Sequence, residues 1–267
     1  MTNKMIKISI VTPSFNQGKF IEDAIESVLI QDYANFEHII IDGCSTDNTI
    51  EVLKKYPHLI WVSEKDEGQS DALNKGFKKA TGNIIGWLNS DDMYLPNTFK
   101  NVVHELTDMH VDAVYGNYKF IDSNGKITRE LVTQNSKKWM SVFYCFIPST
   151  TFFFKRKIID QGIFIDKSFH IAMDKEFFSH IYNLGFKIKK VNSFFAHFRW
   201  HDNNKSIDTN EVKETRLLEG LEIFNRYTSF KLPKNKFGLS VYIFFMNICG
   251  VYRTISRFLK IGLYGKQ

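Results

Sequence analysis

Apolar positions in the first third of the chain alternate between two periods. Residues 7–12 (KISIVT), 36–42 (FEHIIID), 59–63 (LIWVS) and the run Ile84, Ile85, Trp87 and Leu88 are short, β-branched and nearly continuous, as expected of strands buried on both faces. Between them the spacing becomes helical. Phe20, Ile21, Ala24, Ile25, Val28 and Leu29 predict a helix over 19–31, Ile50, Val52, Leu53 and Tyr56 a shorter one, and Ala72, Leu73, Gly76, Phe77 and Ala80 a third over 70–80. Pro13 is expected to end the first strand, and Gly82 to take the left-handed position past the third helix. Strands alternating with helices in this way build a doubly wound, mostly parallel α/β sheet.

Beyond Pro96 the alternation stops. The pattern predicts a helix over 97–105, a strand over 112–117, a hairpin over 119–131 turning at Ser123-Asn124-Gly125, and a strand over 150–155. A helix follows over 173–184, with Phe177, Ile181 and Leu184 on one face and Gly185 past its end, and then a short strand over 194–199. Val212, Leu217, Leu218, Leu221 and Phe224 predict a further helix over 209–227 that packs on the domain. Lys231, Lys234 and Lys236 precede the apolar run LSVYIFFMNICGVY at 239–252, and Arg253, Arg257 and Lys260 follow it. That run is shorter than the roughly 20 residues that span a bilayer. Its basic flanks and aromatic content suit an interfacial helix on an anionic leaflet over 237–263, equally a core helix or a dimer contact. The expected division is a domain over 1–208 and a C-terminal helical appendage over 209–267.

Composition narrows the class. The 267 residues are 43% hydrophobic, enough for a substantial core, and the 25 Phe imply large apolar faces. The formal charge of +6 suits an anionic partner, whether a nucleotide diphosphate, a phospholipid surface or a nucleic acid. Cys44, Cys145 and Cys249 have no paired spacing, which argues against a disulfide framework and a zinc site and for a reducing compartment. Residues 1–7 are polar and the apolar run behind them is short, so no secretory signal is expected and the protein is expected to face the cytoplasm.

The candidate chemistry lies at strand ends. Open α/β sheets bind ligands beyond the carboxyl ends of their strands, so Thr12-Pro13, Asp42, Asp66 and the turn Asn89, Ser90, Asp91 and Asp92 would line one crevice. Each has a plain structural reading when taken singly, usually as a helix cap. Carboxylates at three consecutive strand ends repel one another unless a ligand or cation compensates, which points to a nucleotide-and-metal crevice. Asp174 falls in the first turn of its helix, where the helix end keeps it a weak base and burial would strengthen it. Arg199 and His201 lie two apart and would share a face, one suited to phosphate and the other to a metal or to plain packing.

Together these motifs resemble the inverting family 2 glycosyltransferases, which have the GT-A fold: a Rossmann-like, mostly parallel mixed sheet with flanking helices. The similarity covers roughly residues 6–207 and is strongest in SIVTPSFNQGKFIEDAIESVLIQ, DGCSTDNT and DEGQSDALNKGFKKATGNIIGWLNSDD. The resemblance implies transfer of a sugar from a nucleotide diphosphate sugar, usually of uridine, to an acceptor hydroxyl. By position, Thr12, Pro13 and Asp42 would hold the nucleobase and Asp66 would line the nucleotide pocket. Asp91 and Asp92 match the metal-binding acidic motif, for Mn²⁺ or Mg²⁺. His201 resembles a late histidine that reaches the metal or diphosphate, Arg199 would sit at the phosphates, and Asp174 matches the catalytic base. Many members begin the acidic motif with Asp where this chain has Asn89, which brings no charge but can still hydrogen-bond the ribose or a metal-bound water. The setting implied is surface-polysaccharide assembly on a glycan or lipid-linked acceptor, at the inner face of the cytoplasmic membrane. The alternatives are a catalytically degenerate nucleotide-sugar or glycan-binding protein and a sugar-nucleotide pyrophosphorylase, though the latter needs a Gly-rich loop and SFNQGKF has one Gly. Charge alone favours nucleic acid, which is not expected as a partner.

Overall fold

The β-branched runs are strands, and they order the sheet. A computed structural model describes residues 6–264 apart from 203, 206 and 208, with side chains as far as Ser256; Asn203, Ser206 and the side chains of Arg257 and Lys260 lie outside the described residues, as do residues 1–5. Strands β1 (Ile8–Ser14), β2 (Phe36–Asp42), β3 (Ile60–Ser63) and β4 (Ile84–Trp87) pair in parallel in the order β3-β2-β1-β4. Helices α1 (Ile21–Leu29), α2 (Thr49–Lys54) and α3 (Gln69–Lys79) make the crossovers. The chain then adds β5 (Met93–Tyr94), α4 (Thr98–Leu106), β6 (Ala113–Ile121), β7 (Ile127–Leu131), α5 (Lys138–Ser141), a 3-10 turn at Ser149–Thr151, β8 (Phe152–Lys155), α6 (Lys157–Asp160), α7 (Met173–Asn183) and β9 (Ile188–Arg199). The C-terminal segment is α8 (Asn210–Tyr227) and α9 (Lys236–Tyr264).

Beyond β4 the sheet becomes mixed. It runs β4-β8-β6-β9-β5, with β8 antiparallel to both neighbours, β6 parallel to β9, and β7 folded back on β6 as the hairpin. The parallel character read from the early strands therefore holds for the N-terminal half. Phe152 and Phe154 face one side of β8 and Phe153 the other, and all three are fully buried. Phe153 packs on Tyr94, Phe99 and Phe195, so its truncation to Ala would cost about 3–5 kcal/mol.

Several expectations change in detail. Pro13 does not end β1, which continues in register with β2 through Ser14. Val11 turns its carbonyl to β4 and Ser14 turns its own to Gly43 after β2, so Pro13 points its missing N–H to the side where β4 has already ended. Gly82 is not left-handed; it is required because a Cβ there would lie 2.7 Å from the Ser9 backbone nitrogen. Gly185, just past α7, does take the left-handed position, with φ of 88°. Leu184 caps α7 and is exposed, and Leu218 points outward from α8 while Ile223 points in. The last strand and the last helix are both longer than their apolar runs. In α9, Arg253, Thr254 and Ser256 end the hydrophobic stretch without breaking the helix, because none of them is a strong helix breaker.

The C-terminal helices are tied to the sheet domain. Leu221, Ile223, Phe224 and Tyr242 join the same core as α3, β8 and α7. Glu219 of α8 accepts the backbone N–H groups of His170, Ile171 and Ala172 at 2.7, 2.9 and 2.6 Å, holding the segment that enters α7.

Candidate active site

The carboxyl ends of β1 and β4 open on a cavity of about 900 Å³, which the start of α7 and the side of α9 also wall. Pro13, Asp66, Asn89, Ser90, Asp91 and Asp174 all line it. Six of the residues singled out from sequence thus converge on one space, although they come from four separate segments. Thr12, Asp42, Asp92, Arg199 and His201 are not among its lining residues.

Thr12 is fully buried, with its hydroxyl 2.9 Å from Nε2 of His38, a ring that burial holds neutral with a pKa lowered to about 3. The Asp42 carboxylate is also fully buried. It accepts the Ser45 N–H at 2.9 Å and the hydroxyls of Ser45 and Ser63 at 2.5 and 2.7 Å, and so shapes the turn after β2. Beside it, Asp66 accepts the Gly68 N–H at 2.8 Å, and Gly43 gives it room, since a Cβ on Gly43 would meet the Asp66 carboxylate at 2.7 Å.

The acidic turn divides its labour. Asp91 lines the cavity, with Oδ2 at 3.1 Å from Nε2 of His201 and 3.2 Å from Nδ2 of Asn204. Asp92 points into the protein and is 1% exposed, accepting the Arg199 N–H at 2.9 Å, an amide hydrogen of Asn89 at 3.0 Å and the Thr150 hydroxyl. Burial, reinforced by the Asp91 charge, pushes its carboxyl up to about 8. Asp92 is a buried tie between β4, β9 and the 3-10 turn, and the metal role expected of it is corrected accordingly: its oxygens are taken up inside the fold.

This explains Asn89. Its Oδ1 accepts the indole N–H of Trp87 at 2.9 Å and the Gln69 amide at 3.1 Å, while Nδ2 donates to Asp92 and, at 3.3 Å, to Thr150. A primary amide matches a site that needs two hydrogen bonds accepted on one side and two donated on the other, and an ionised carboxylate, which only accepts, does not. The missing charge is therefore a structural complement to the inward Asp92.

Arg199 is also corrected. Its guanidinium, 2% exposed, donates to Asp23 at 2.5 Å, to the Asp91 carbonyl at 2.9 Å and to the Ser123 carbonyl at 3.3 Å, and lies over the Phe20 ring. It anchors the acidic turn to α1 and has no face toward the cavity. His201 packs on Phe20 at 4.7 Å between ring centres, and its Nε2 also reaches Asp91, so one side chain both packs and makes a polar contact with the acidic turn.

At the start of α7, Asp174 Oδ1 accepts the Lys175 N–H at 2.6 Å, and Oδ2 lies 3.8 Å from Cys145 Sγ. Burial raises its pKa above that of an ordinary Asp, the condition under which the sequence reading makes it a stronger base. The sequence reading missed Lys175, Tyr242 and Glu219. One signal for Lys175 was present: it shares the helical face of Phe178 and Tyr182, so a lysine stands among core positions. Among the described residues, no three His, Cys, Asp or Glu side chains gather as a metal cluster. Asp91 with His201 offers a smaller donor set.

Residues 9–181 match the family model described as Glycosyl transferase family 2. The chain belongs to that family. It is therefore a glycosyltransferase, which sets aside the pyrophosphorylase and the non-enzymatic binding protein. Among relatives of this family 2 enzyme, an uncharacterized glycosyltransferase of Nostoc sp. is 28% identical over 88% of the chain and 79% of its own length. The Escherichia coli UDP-Glc:alpha-D-GlcNAc-diphosphoundecaprenol beta-1,3-glucosyltransferase WfgD is 27% identical over 78% of the chain and 82% of its own length. The Bacillus subtilis putative teichuronic acid biosynthesis glycosyltransferase TuaG is 30% identical over 47% of the chain and 52% of its own. In fold, the family 2 enzyme is similar to S. aureus TarS in complex with UDP-GlcNAc (TM-score 0.66, 19% identity, 85% of the chain and 68% of TarS). It is similar too to the Pyrobaculum calidifontis mannosyltransferase PcManGT in complex with GDP-Man and Mn2+ (TM-score 0.63, 18% identity, 84% and 64%). The GT-A-like mixed sheet with flanking helices and a C-terminal helix is the fold of this enzyme.

Proposed function

We propose that this transferase inverts the anomeric centre of a nucleotide diphosphate sugar, of the uridine class, as it passes the sugar to an acceptor hydroxyl in polysaccharide assembly. The observation that carries the reading is the placement of Asp174, a carboxylate whose proton affinity burial raises, on the wall of the cavity that Asp91 and Asp66 also line. The acceptor O–H gives its proton to the Asp174 carboxylate as its oxygen forms a bond to C1 of the sugar. The bond from C1 to the β-phosphate oxygen breaks, and its electron pair leaves with the nucleoside diphosphate. One base and one displacement give inversion, and the sugar passes through an oxocarbenium-like state as in glycoside hydrolysis.

Asp91 and His201 suit a divalent cation of the Mn²⁺ or Mg²⁺ class, because such ions commonly take one or two protein ligands and complete their shell on substrate phosphates. When bound, the cation would offset the charge that builds on the departing diphosphate. Pro13, Asp66 and Ser90 line the space for the nucleotide, with Thr12 and Asp42 shaping the loops behind it. The uridine choice is supported by WfgD, whose name specifies UDP-Glc, and a lipid-linked acceptor by the diphosphoundecaprenol in that same name. UDP binding with and without Mn²⁺, followed by donor hydrolysis over a panel of sugar nucleotides, tests the reading. Absence of nucleotide binding in every condition refutes it.

Peripheral contact with an anionic membrane completes the proposal. Residues Lys236–Ser256 form a helical stretch with mean hydropathy of 1.3, mostly outside the protein interior and long enough by itself to cross a bilayer. Its Tyr242 and Cys249 face, however, is packed on the domain, which favours lying in the interface over spanning. Phe237, Phe244, Ile248, Val251 and Ile255 are exposed at helical spacing on another face. The pair Phe244→Asp and Ile248→Asp should abolish pelleting with anionic liposomes, and undiminished pelleting would sink the idea.

A further inference from the structure

Lys175 follows the proposed base directly and is buried with no carboxylate in ion-pair contact among the described residues. Its Nζ donates to the Tyr242 hydroxyl at 2.5 Å and to the Phe143 carbonyl at 3.4 Å, and lies 5.2 Å from the Tyr242 ring centre. Tyr242 comes from α9 and is 1% exposed; its hydroxyl lies 3.2 Å from the Phe143 carbonyl and 3.3 Å from that of Val142. Gly220 of α8 makes the reach possible, since a Cβ there would lie 2.4 Å from the Tyr242 oxygen. A buried ammonium that has only dipoles as acceptors is costly to keep, and here it stands one residue from the carboxylate that does the chemistry.

We propose that Tyr242 is a positioning residue for Asp174: its hydroxyl seats the Lys175 ammonium, and Lys175 holds the carboxylate through its own N–H and its nearby charge. The C-terminal helix is then a working part of the catalytic centre as well as an anchor. This rests on Asp174 being the base.

The electrostatics run the same way. Burial pushes the Lys175 ammonium down to about 8 and the Asp174 carboxyl up, and the Lys175 charge partly offsets the latter. The other titratable groups facing the pair are Cys145 from the loop after α5, Cys249 and Tyr242 from α9, and Lys205 from the segment after β9, itself under the influence of Glu219 on α8. Losing the tyrosine hydroxyl removes an acceptor from the ammonium, favours neutral lysine and so leaves the Asp174 carboxyl less opposed.

Two variants test this without touching the pair itself. Tyr242→Phe deletes the hydroxyl. Gly220→Ala suits its helix but forces the Tyr242 oxygen aside. In each full-length variant the ¹³C-carboxyl resonance of Asp174, assigned with Asp174→Asn, should titrate about 1 pH unit higher than in the parent, the size expected for loss of a neighbouring opposite charge. On the acid limb of the pH profile, below the parent's Asp174 pKa, that rise lowers the ionised fraction of the base. Turnover on the UDP-sugar chosen by the hydrolysis panel should fall there by about tenfold while the donor KM stays within about twofold, a split that a general packing defect would not give. An unmoved Asp174 titration in either folded variant overturns the proposal, as does loss of donor affinity in step with turnover. An active Asp174→Asn enzyme would instead refute the base assignment itself.

Discussion

Asn89→Asp restores the first carboxylate of the acidic motif, and the structure predicts that this harms the enzyme. The substitution replaces an amide donor 3.0 Å from the Asp92 carboxylate with an acceptor, in a site where Asp92 is 1% exposed. Leaving a buried polar group without its partner costs about 1–3 kcal/mol. A second carboxylate at that distance adds like-charge repulsion, so we take the total as about 3 kcal/mol. For a chain of this size that corresponds to a fall of about 6–12 °C in Tm, at about 2–4 °C per kcal/mol. The pH dependence has a fixed sign. Asp92 already has its pKa raised to about 8, and a carboxyl neighbour raises the pair further. A carboxyl that binds its proton more tightly when folded supports folding at low pH, and that support disappears as pH rises from the unfolded value through the folded one. The defect should therefore be larger at about pH 8 than at about pH 5, where an unfolded Asp, with pKa about 3.9, is already mostly ionised. Thermal unfolding followed by circular dichroism at both pH values reads it directly. A variant that melts within about 2 °C of the parent, or above it, would refute the account of Asn89 as the partner of an inward Asp92.

Asp174→Asn should retain UDP-sugar affinity by calorimetry while turnover falls about 10²–10⁴-fold, the usual worth of a general base. In the parent enzyme the acid limb of kcat should lie above the ordinary Asp value, because burial raises the Asp174 carboxyl and activity is lost as pH falls through that raised pKa. A rate that stays flat down to about pH 3.9 would contradict this. Glu219→Ala removes the acceptor shared by three backbone N–H groups before α7. It should lower stability by about 2–4 kcal/mol in urea unfolding, and a loss below about 0.5 kcal/mol would show that the loop holds itself.

Much of this architecture was legible because period and composition report on burial. The four parallel strands, their crossover helices and the hairpin at Asn124-Gly125 follow from which positions are apolar and where turns are permitted. The start of α7 was also legible, and with it the placing of Asp174 in the first turn. The site was legible as far as the strand ends, since topology brings Pro13, Asp66 and the 89–91 turn together whatever their side chains do next.

Direction and partnership were decided elsewhere. Asp91 and Asp92 are chemically identical neighbours, and only the approach of β9, with the Arg199 N–H, and of Thr150 turns one of them into the core and leaves the other at the cavity. Arg199 reads as a phosphate ligand until Asp23 of α1 is beside it, more than a hundred residues away in sequence. Lys175 acquires a role only when α9 brings Tyr242 past Gly220 to meet it. Residue pattern alone determined that this protein has a parallel N-terminal half with acids at its strand ends. Which of those acids face the cavity, and that the C-terminal helix reaches the residue beside Asp174, depended on long-range packing, because a side chain's orientation is set by neighbours that local sequence does not contain.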